Sequence, residues 1–135
     1  MSTGALVSRA LWLNQLSPTT GFSAFKPLMN ASRQRNARLG LTGAMLFDGE
    51  RFCHWLEGSP HGMQTVRQEL EDDPRQAGLH VLYASSVPGP RRLLGWSSGF
   101  CDATDLDVFA GTSGLQGDDA LDAFFALLAR CDLSP

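Results

Sequence analysis

Residues 41–60, LTGAMLFDGERFCHWLEGSP, contain two apolar runs and the turn that separates them, and they indicate the fold class. The runs 41–47 and 51–57 are rich in residues that favour β-strands. They flank Asp48-Gly49, a dipeptide that is typical of the tight turn in a β-hairpin. The stretch therefore predicts an antiparallel hairpin near the middle of the chain.

The hairpin is predicted to lead directly into a helix. Ser59 and Pro60 are typical of an N-cap and the first helical residue, and the apolar spacing that follows predicts a helix over 60–72. The other predicted elements are a strand over 5–13, a helix over 22–36, strands over 78–87 and 93–100, and a helix over 119–130. The last helix carries an apolar stripe that suits packing on a sheet or on a partner, formed by Leu121, Phe124, Phe125 and Leu128.

The order of these elements, β-α-β-β-α-β-β-α, predicts an α+β protein with a ferredoxin-like arrangement. In that arrangement an antiparallel-dominated sheet carries both early helices on one face. Residues 1–102 form the predicted body. Residues 103–135 form a Gly/Ser/Thr-rich linker over 103–117 and the C-terminal helix.

Composition excludes several functional classes. A net charge of −3 over 135 residues argues against nucleic acid as a partner. Three cysteines without a C-x-x-C pair suit reduced thiols. Because we find neither a signal-peptide pattern nor an apolar run long enough to span a bilayer, we expect a cytoplasmic location and no membrane association.

The sequence offers little support for catalysis. It has no phosphate-binding glycine loop and no nucleophile or zinc-protease motif. His54 and Glu57 lie on opposite faces of a predicted strand, so they cannot act as a pair. His54, His61 and His80 share no metal-ligand spacing. We therefore expect no enzyme activity and no metal site.

The segment NARLGLTGAMLFDGERFCHWLEGSP (36–60) resembles the central signature of the BLUF family, small blue-light sensors that bind FAD. Asn36, the Leu-Thr-Gly that follows it, the Asp-Gly turn and the Phe-x-x-x-Leu-Glu-Gly strand carry the match. DDPRQ (72–76) and LLGW (93–96) extend the resemblance over roughly residues 5–100. The resemblance implies that a flavin ring inserts between the two early helices.

By this resemblance, Ser32, Asn36, His54 and Arg75 are the residues that would contact the cofactor. An asparagine amide offers the donor and acceptor that suit a flavin edge, and an arginine fork suits a ring carbonyl. Other roles remain open for three of these residues. Asn36 could be a helix C-terminal residue that tolerates a left-handed backbone conformation, and Arg75 could be a surface side chain. His54 could be a buried core histidine whose hydrogen bonds are satisfied within the protein.

The chain departs from the family at both photochemical positions. His54 stands where the family has a glutamine that reorients after light absorption. The family's electron-donating tyrosine on the first strand aligns with Leu11, and alternation would then turn Trp12 to the opposite side of the sheet. The resemblance therefore implies the scaffold of a light sensor with an absent or altered light response.

Two functions follow from these observations. One is an FAD-binding sensor or adaptor that acts on an unidentified protein partner, with the chain assembled as a homo-oligomer. The other is a flavin-free BLUF-like domain that serves only oligomerisation or partner binding.

Overall fold

The computed structural model describes residues 4–135 and shows a five-stranded sheet with helices on both of its faces. The strands are β1 (Leu6–Leu16), β2 (Thr42–Phe47), β3 (Arg51–Gly58), β4 (Gln76–Pro88) and β5 (Trp96–Phe100). The helices are α1 (Phe25–Arg38), α2 (Pro60–Asp72), α3 (Ala103–Asp107) and α4 (Gly117–Leu128), with a 3₁₀ turn at Phe22–Ala24. The predicted α+β, ferredoxin-like architecture is confirmed.

The sheet has the strand order β4-β1-β3-β2-β5. All neighbouring pairs are antiparallel except β2 and β5, which are parallel. The predicted hairpin is confirmed, with Thr42 opposite Glu57 and Phe47 opposite Phe52. Its turn is held by the Asp48 carboxylate, which accepts hydrogen bonds from the backbone N–H groups that follow it.

The two early helices begin where the local sequence favours helix initiation. The Ser59 hydroxyl accepts a 3.0 Å hydrogen bond from the Gly62 N–H and so caps α2, which spans the predicted 60–72. Pro27 lies in the first turn of α1, where a missing backbone N–H costs no helical hydrogen bond.

The sheet separates two apolar layers. On one face, which we call the helix-pair face, strand residues pack beneath α1 and α2 in two separate clusters. The cluster of α2 contains Ala10, Trp12, Leu41, Leu56, Met63, Val66 and Leu70. The cluster of α1 contains Leu16, Leu28, Met29, Met45, Phe47 and Phe52.

The opposite face, which we call the α4 face, is covered by the C-terminal part of the chain. Leu11 and Trp55 pack there in one cluster with Phe124 and Leu128, so the apolar stripe of the last helix is used for packing on the sheet. The segment predicted as a linker over 103–117 also contributes to this layer. It contains α3, and its Leu106 is fully buried in the same cluster.

Within residues 4–135, no helix combines the length and the hydropathy needed to cross a bilayer.

Candidate functional site

Buried polar groups lie on the helix-pair face. Four of them are the side chains of Asn14, Asn36 and His54 and the indole N–H of Trp96, and we call these four the polar seam. The ring of Trp96 packs against both apolar clusters of this face. Buried polar groups beside apolar clusters are expected of a site that orients a mostly apolar ligand.

His54 is a neutral, buried imidazole. Its side chain is 3% exposed, and its Nε2 lies 3.1 Å from Oδ1 of Asn14. Burial, with a smaller contribution from the positive charge of Arg35, lowers the pKa of His54 to about 3. Among the described residues, Asn14 is the imidazole's hydrogen-bond partner and Trp12 its ring neighbour, with centroids 5.7 Å apart at 82°.

The position of Trp12 corrects the alignment of the first strand. Trp12 lies directly opposite His54 in the β1–β3 register and packs on the helix-pair face. Leu11 lies opposite Trp55 and packs against α4 on the other face. The alignment of Leu11 with the family's tyrosine turned Trp12 away from the site, and the structure places Trp12, not Leu11, on the face of His54. That alignment is therefore wrong by one residue, and a shift of one residue reverses the face of every side chain in a strand.

Asn36 is the second buried polar residue of the seam, and its side chain is half satisfied. Its Oδ1 accepts hydrogen bonds from Nε and Nη2 of Arg35, both at 3.3 Å, whereas its Nδ2 is buried without a partner in the described chain. The alternative that Asn36 is present for a left-handed backbone conformation at the end of α1 is wrong, because no described residue other than glycine has a positive φ. An unpaired buried amide N–H₂ is a group available to a ligand.

Ser32 and Arg75 lie farther out, on the walls of a cleft of about 280 Å³ between α1 and α2. Arg75 forms an ion pair with Asp73, with Nη2 and Oδ2 3.0 Å apart, and its side chain is half exposed. The side chain of Arg35 also lines the cleft and faces Glu69 at 3.8 Å. The structure thus brings all four predicted residues to the α1–α2 side, two buried in the seam and two on the cleft wall.

Sequence reasoning missed four residues of this region, namely Asn14, Arg35, Gln76 and Trp96. One signal could have found Asn14, because it is a polar residue two positions after Trp12 and therefore on the same strand face. Arg35 and Gln76 flank predicted site residues, but nothing in their spacing shows that their side chains turn inward.

FAD is the cofactor implied by the sequence, and the donors of the seam fit it. The buried Nδ2 of Asn36 and Nε1 of Trp96 both lack an acceptor in the described chain. A buried donor without a partner costs about 1–3 kcal/mol. The carbonyl oxygens on the edge of a flavin ring are acceptors of the kind that these two groups need.

Comparison with known proteins agrees with these features. The model of the family BLUF, described as sensors of blue-light using FAD, matches residues 6–99. The solved dark-state structure of BlrB, a BLUF protein, is 26% identical with a TM-score of 0.60, and the match covers 81% of each chain. No protein of curated function is detectably similar to the chain in sequence.

Two longer proteins share the fold. A bacterial light-regulated adenylyl cyclase matches with a TM-score of 0.62 and 14% identity, over 92% of this chain and 34% of its own. Klebsiella pneumoniae BlrP1, in a complex with calcium and cyclic di-GMP, matches with a TM-score of 0.58 and 22% identity. That match covers 89% of this chain and 28% of BlrP1. The chain therefore spans about a third or less of these two proteins.

Proposed function

Because the chain belongs to the BLUF family of blue-light sensors that use FAD, we propose that it is a flavin-binding sensory or adaptor domain, not an enzyme, with an absent or altered light response. The observation that carries the proposal is that two of the four buried side-chain atoms without a partner in the described chain, Nδ2 of Asn36 and Nε1 of Trp96, are donors on the same side of the sheet. Both lie on the α1–α2 side of the sheet, where the family's cofactor is expected.

Four residues would hold the cofactor. Asn36 supplies a buried amide, and His54 supplies a neutral imidazole. Ser32 and Arg75, on the cleft wall, supply a hydroxyl and a guanidinium. FAD, when bound, supplies the absorption of blue light, and the side chains orient it and exclude water.

The light response is proposed to differ from that of the family because both photochemical positions carry other residues. A glutamine amide exchanges donor and acceptor by rotating, whereas an imidazole does so only by moving a proton from one nitrogen to the other. Trp12, opposite His54, is an indole in place of a phenol. We expect flavin binding without a long-lived red-shifted state.

Flavin uptake tests the binding step. Purified protein should be yellow or should take up added FAD, and Asn36→Ala should weaken that binding by about 1–3 kcal/mol, the cost of losing a buried polar partner. Asn30→Ala is the matched control, since Asn30 is an exposed asparagine on the same helix. Equal FAD affinity in Asn36→Ala and wild type would remove Asn36 from the site.

The flavin-free interaction module is the second candidate, and two observations favour it. The Arg35 side chain, only 12% exposed, lies within the cleft and faces Glu69 there, so it takes up part of the space between α1 and α2. The volume of the cleft, about 280 Å³, also lies just below the usual range of ligand pockets, about 300–1,000 Å³. Protein that stays colourless with excess FAD would support this candidate.

Self-association and location belong to the same proposal. We propose a cytoplasmic homo-oligomer that acts on a protein partner. The exposed phenyl rings of Phe22 and Phe100 support an association surface. Light scattering of the purified protein gives the oligomer mass, and a monomer at every concentration would contradict the self-association.

A further inference from the structure

A chain of side-chain hydrogen bonds leads from the buried imidazole to the surface turn between α2 and β4. His54 Nε2 meets Oδ1 of Asn14 at 3.1 Å, and Nδ2 of Asn14 donates to Oε1 of Gln76 at 2.7 Å. Nε2 of Gln76 in turn donates to Oδ2 of Asp73 at 3.3 Å. We call these four residues the relay. Its outer end is fixed by Arg75, whose guanidinium and backbone N–H donate to the Asp73 carboxylate.

The direction of every bond in the relay follows from its outer end. An ionised carboxylate can only accept hydrogen bonds, so Gln76 must turn its N–H₂ group toward Asp73 and its oxygen toward Asn14. Asn14 must then donate to Gln76 and present its own oxygen to His54. That oxygen accepts a hydrogen bond only if the imidazole carries its proton on Nε2.

We infer that Asp73, acting through Gln76 and Asn14, fixes His54 as the Nε2–H tautomer and leaves Nδ1 as a hydrogen-bond acceptor. The three residues are positioning residues, because they act on the site through His54. The hydrogen bond of the His54 ring to Asn14 uses Nε2 and leaves Nδ1 outside the relay. His54 therefore offers an acceptor at Nδ1, on the same face of the sheet as the buried donors of Asn36 and Trp96.

This arrangement couples the surface turn to the buried site in both directions. If Asp73 gains a hydrogen-bond donor, for example by protonation or substitution, the side-chain amides of Gln76 and Asn14 are no longer held in one orientation. Conversely, a ligand that requires the proton on Nδ1 must reverse both amides and place the Gln76 oxygen against the Asp73 carboxylate, which is repulsive.

Nitrogen-15 NMR of the imidazole tests the inference on the ligand-free protein. Two-bond couplings identify which ring nitrogen of His54 carries hydrogen, and the signals are assigned by their loss in His54→Gln. We expect a single tautomer with hydrogen on Nε2 at neutral pH. An Nδ1–H tautomer, or fast averaging of the two, in the wild type would overturn the inference.

Variants of the outer end give the sharper test. Asp73→Asn introduces a donor that can reverse the relay, so we expect a substantial Nδ1–H population. Asp72→Asn is the matched control, because Asp72 is exposed and pairs with Gln68, outside the relay. Both variants lose one negative charge, so equal tautomer populations in the two would contradict the inference.

A double variant separates this effect from damage to the fold. Gln76→Glu places an acceptor-only group next to Asn14, so Asp73→Asn combined with Gln76→Glu should return His54 to the Nε2–H tautomer. A general loss of structure would not be repaired by a second substitution. Failure of the double variant to restore the tautomer, with the fold intact by circular dichroism, would refute the directional argument.

The effect on a ligand rests on the proposed function and has its own readout. In flavin-loaded protein, Asp73→Asn should shift the flavin absorption maximum relative to Asp72→Asn. If no flavin binds, the proposed function fails while the NMR result still decides the inference. If flavin binds and its spectrum is the same in both variants, His54 Nδ1 is not a flavin contact, and the extension of the inference to the ligand is wrong.

Discussion

At the scale of single residues, the burial of His54 links its protonation to folding. The imidazole is 3% exposed and lies near the cationic Arg35, so the folded protein disfavours its charged form. In the unfolded chain the same group is solvated and titrates near its ordinary pKa of about 6.5. The unfolded state therefore takes up a proton at a pH where the folded state does not.

This difference predicts a pH dependence of stability. The pKa of His54 is lowered to about 3 on folding, so its share of stability is complete above pH of about 6.5 and is lost as the pH falls toward 3. The free energy of unfolding should fall by up to about 1.4 kcal/mol per pH unit in that window because of this one group. Urea denaturation between pH 4 and pH 7 should show that His54→Gln removes this part of the slope.

His80→Gln is the control for that measurement, since His80 is an exposed histidine on β4. Its slope should match that of the wild type. An unchanged slope in His54→Gln would mean that the imidazole is protonated in the folded protein as readily as in the unfolded chain.

The register of Trp12 and His54 gives a second prediction at this scale, about light. Wild-type protein loaded with flavin should show no persistent red shift after blue illumination. Trp12→Tyr combined with His54→Gln places a phenol and a rotating amide opposite each other on the helix-pair face, and it should restore a reversible red shift. Light-minus-dark absorption spectra of the flavin-loaded variants measure the outcome.

The matched control is Leu11→Tyr combined with His54→Gln. Leu11 is fully buried on the α4 face, so a phenol there is separated from His54 by the sheet, and we expect no red shift. A red shift in this control but not in the Trp12 variant would restore the original alignment of the strand.

The one-residue error in the alignment of β1 shows which features of a strand its periodicity can predict. Alternation predicted correctly that Glu57 faces away from His54. It could not say which residue of β1 lies opposite His54, because that register depends on the pairing of two distant segments. The relay escaped prediction for a related reason, since Asn14 and Gln76 meet only through the β1–β4 pairing.

At the scale of elements, the buried carboxylate of Glu57 ties β3 to the segment that leads into β5. Its two oxygens accept 2.7 Å hydrogen bonds from the backbone N–H groups of Arg92 and Leu93, and one also accepts from Nε of Arg9 at 3.2 Å. The side chain is fully buried. This anchor holds the segment that precedes β5 against the end of β3.

Glu57→Ala should therefore destabilise the protein by about 1–3 kcal/mol for each backbone donor, of Arg92 and Leu93, that it leaves without its acceptor. The guanidinium of Arg9 loses its ion pair but keeps backbone carbonyl acceptors. Chemical denaturation measures the loss, and Glu50→Ala is the control because Glu50 is exposed in the hairpin turn. Flavin affinity of the fraction that remains folded should be unchanged, because Glu57 faces away from the seam. A loss of flavin affinity with unchanged stability would instead assign Glu57 to the site.

The elements themselves were largely predictable from sequence. Local signals such as the Asp48-Gly49 turn and the Ser59 cap gave the hairpin and α2 because the forces that fix them act within a few residues. The segment 103–117 was less readable, because its composition is that of a loop. A short-range signal was present, since the Asp105 carboxylate accepts from the Asp102 N–H at the start of α3.

At the scale of the whole molecule, the sheet places the seam and α4 back to back. His54 faces the helix-pair side, and its neighbour Trp55 faces α4, where its ring meets that of Phe125 in an edge contact at 5.5 Å. A movement of β3 that displaces His54 on one face would therefore also displace Trp55 and change its contact with α4 on the other face. The use of α4 in the core decides which surfaces are free for association.

The final prediction tests whether α4 packs within its own chain. Phe124 is fully buried in the cluster of the α4 face, so Phe124→Ala should lower the free energy of unfolding by about 3–5 kcal/mol through lost burial and a residual cavity. Asp122→Ala, an exposed change on the same helix, should leave stability nearly unchanged. Because the ring packs within its own chain, the oligomer mass measured by light scattering on the folded Phe124→Ala fraction should equal that of the wild type. A loss of oligomer mass with full monomer stability would show instead that α4 is an interface with another chain.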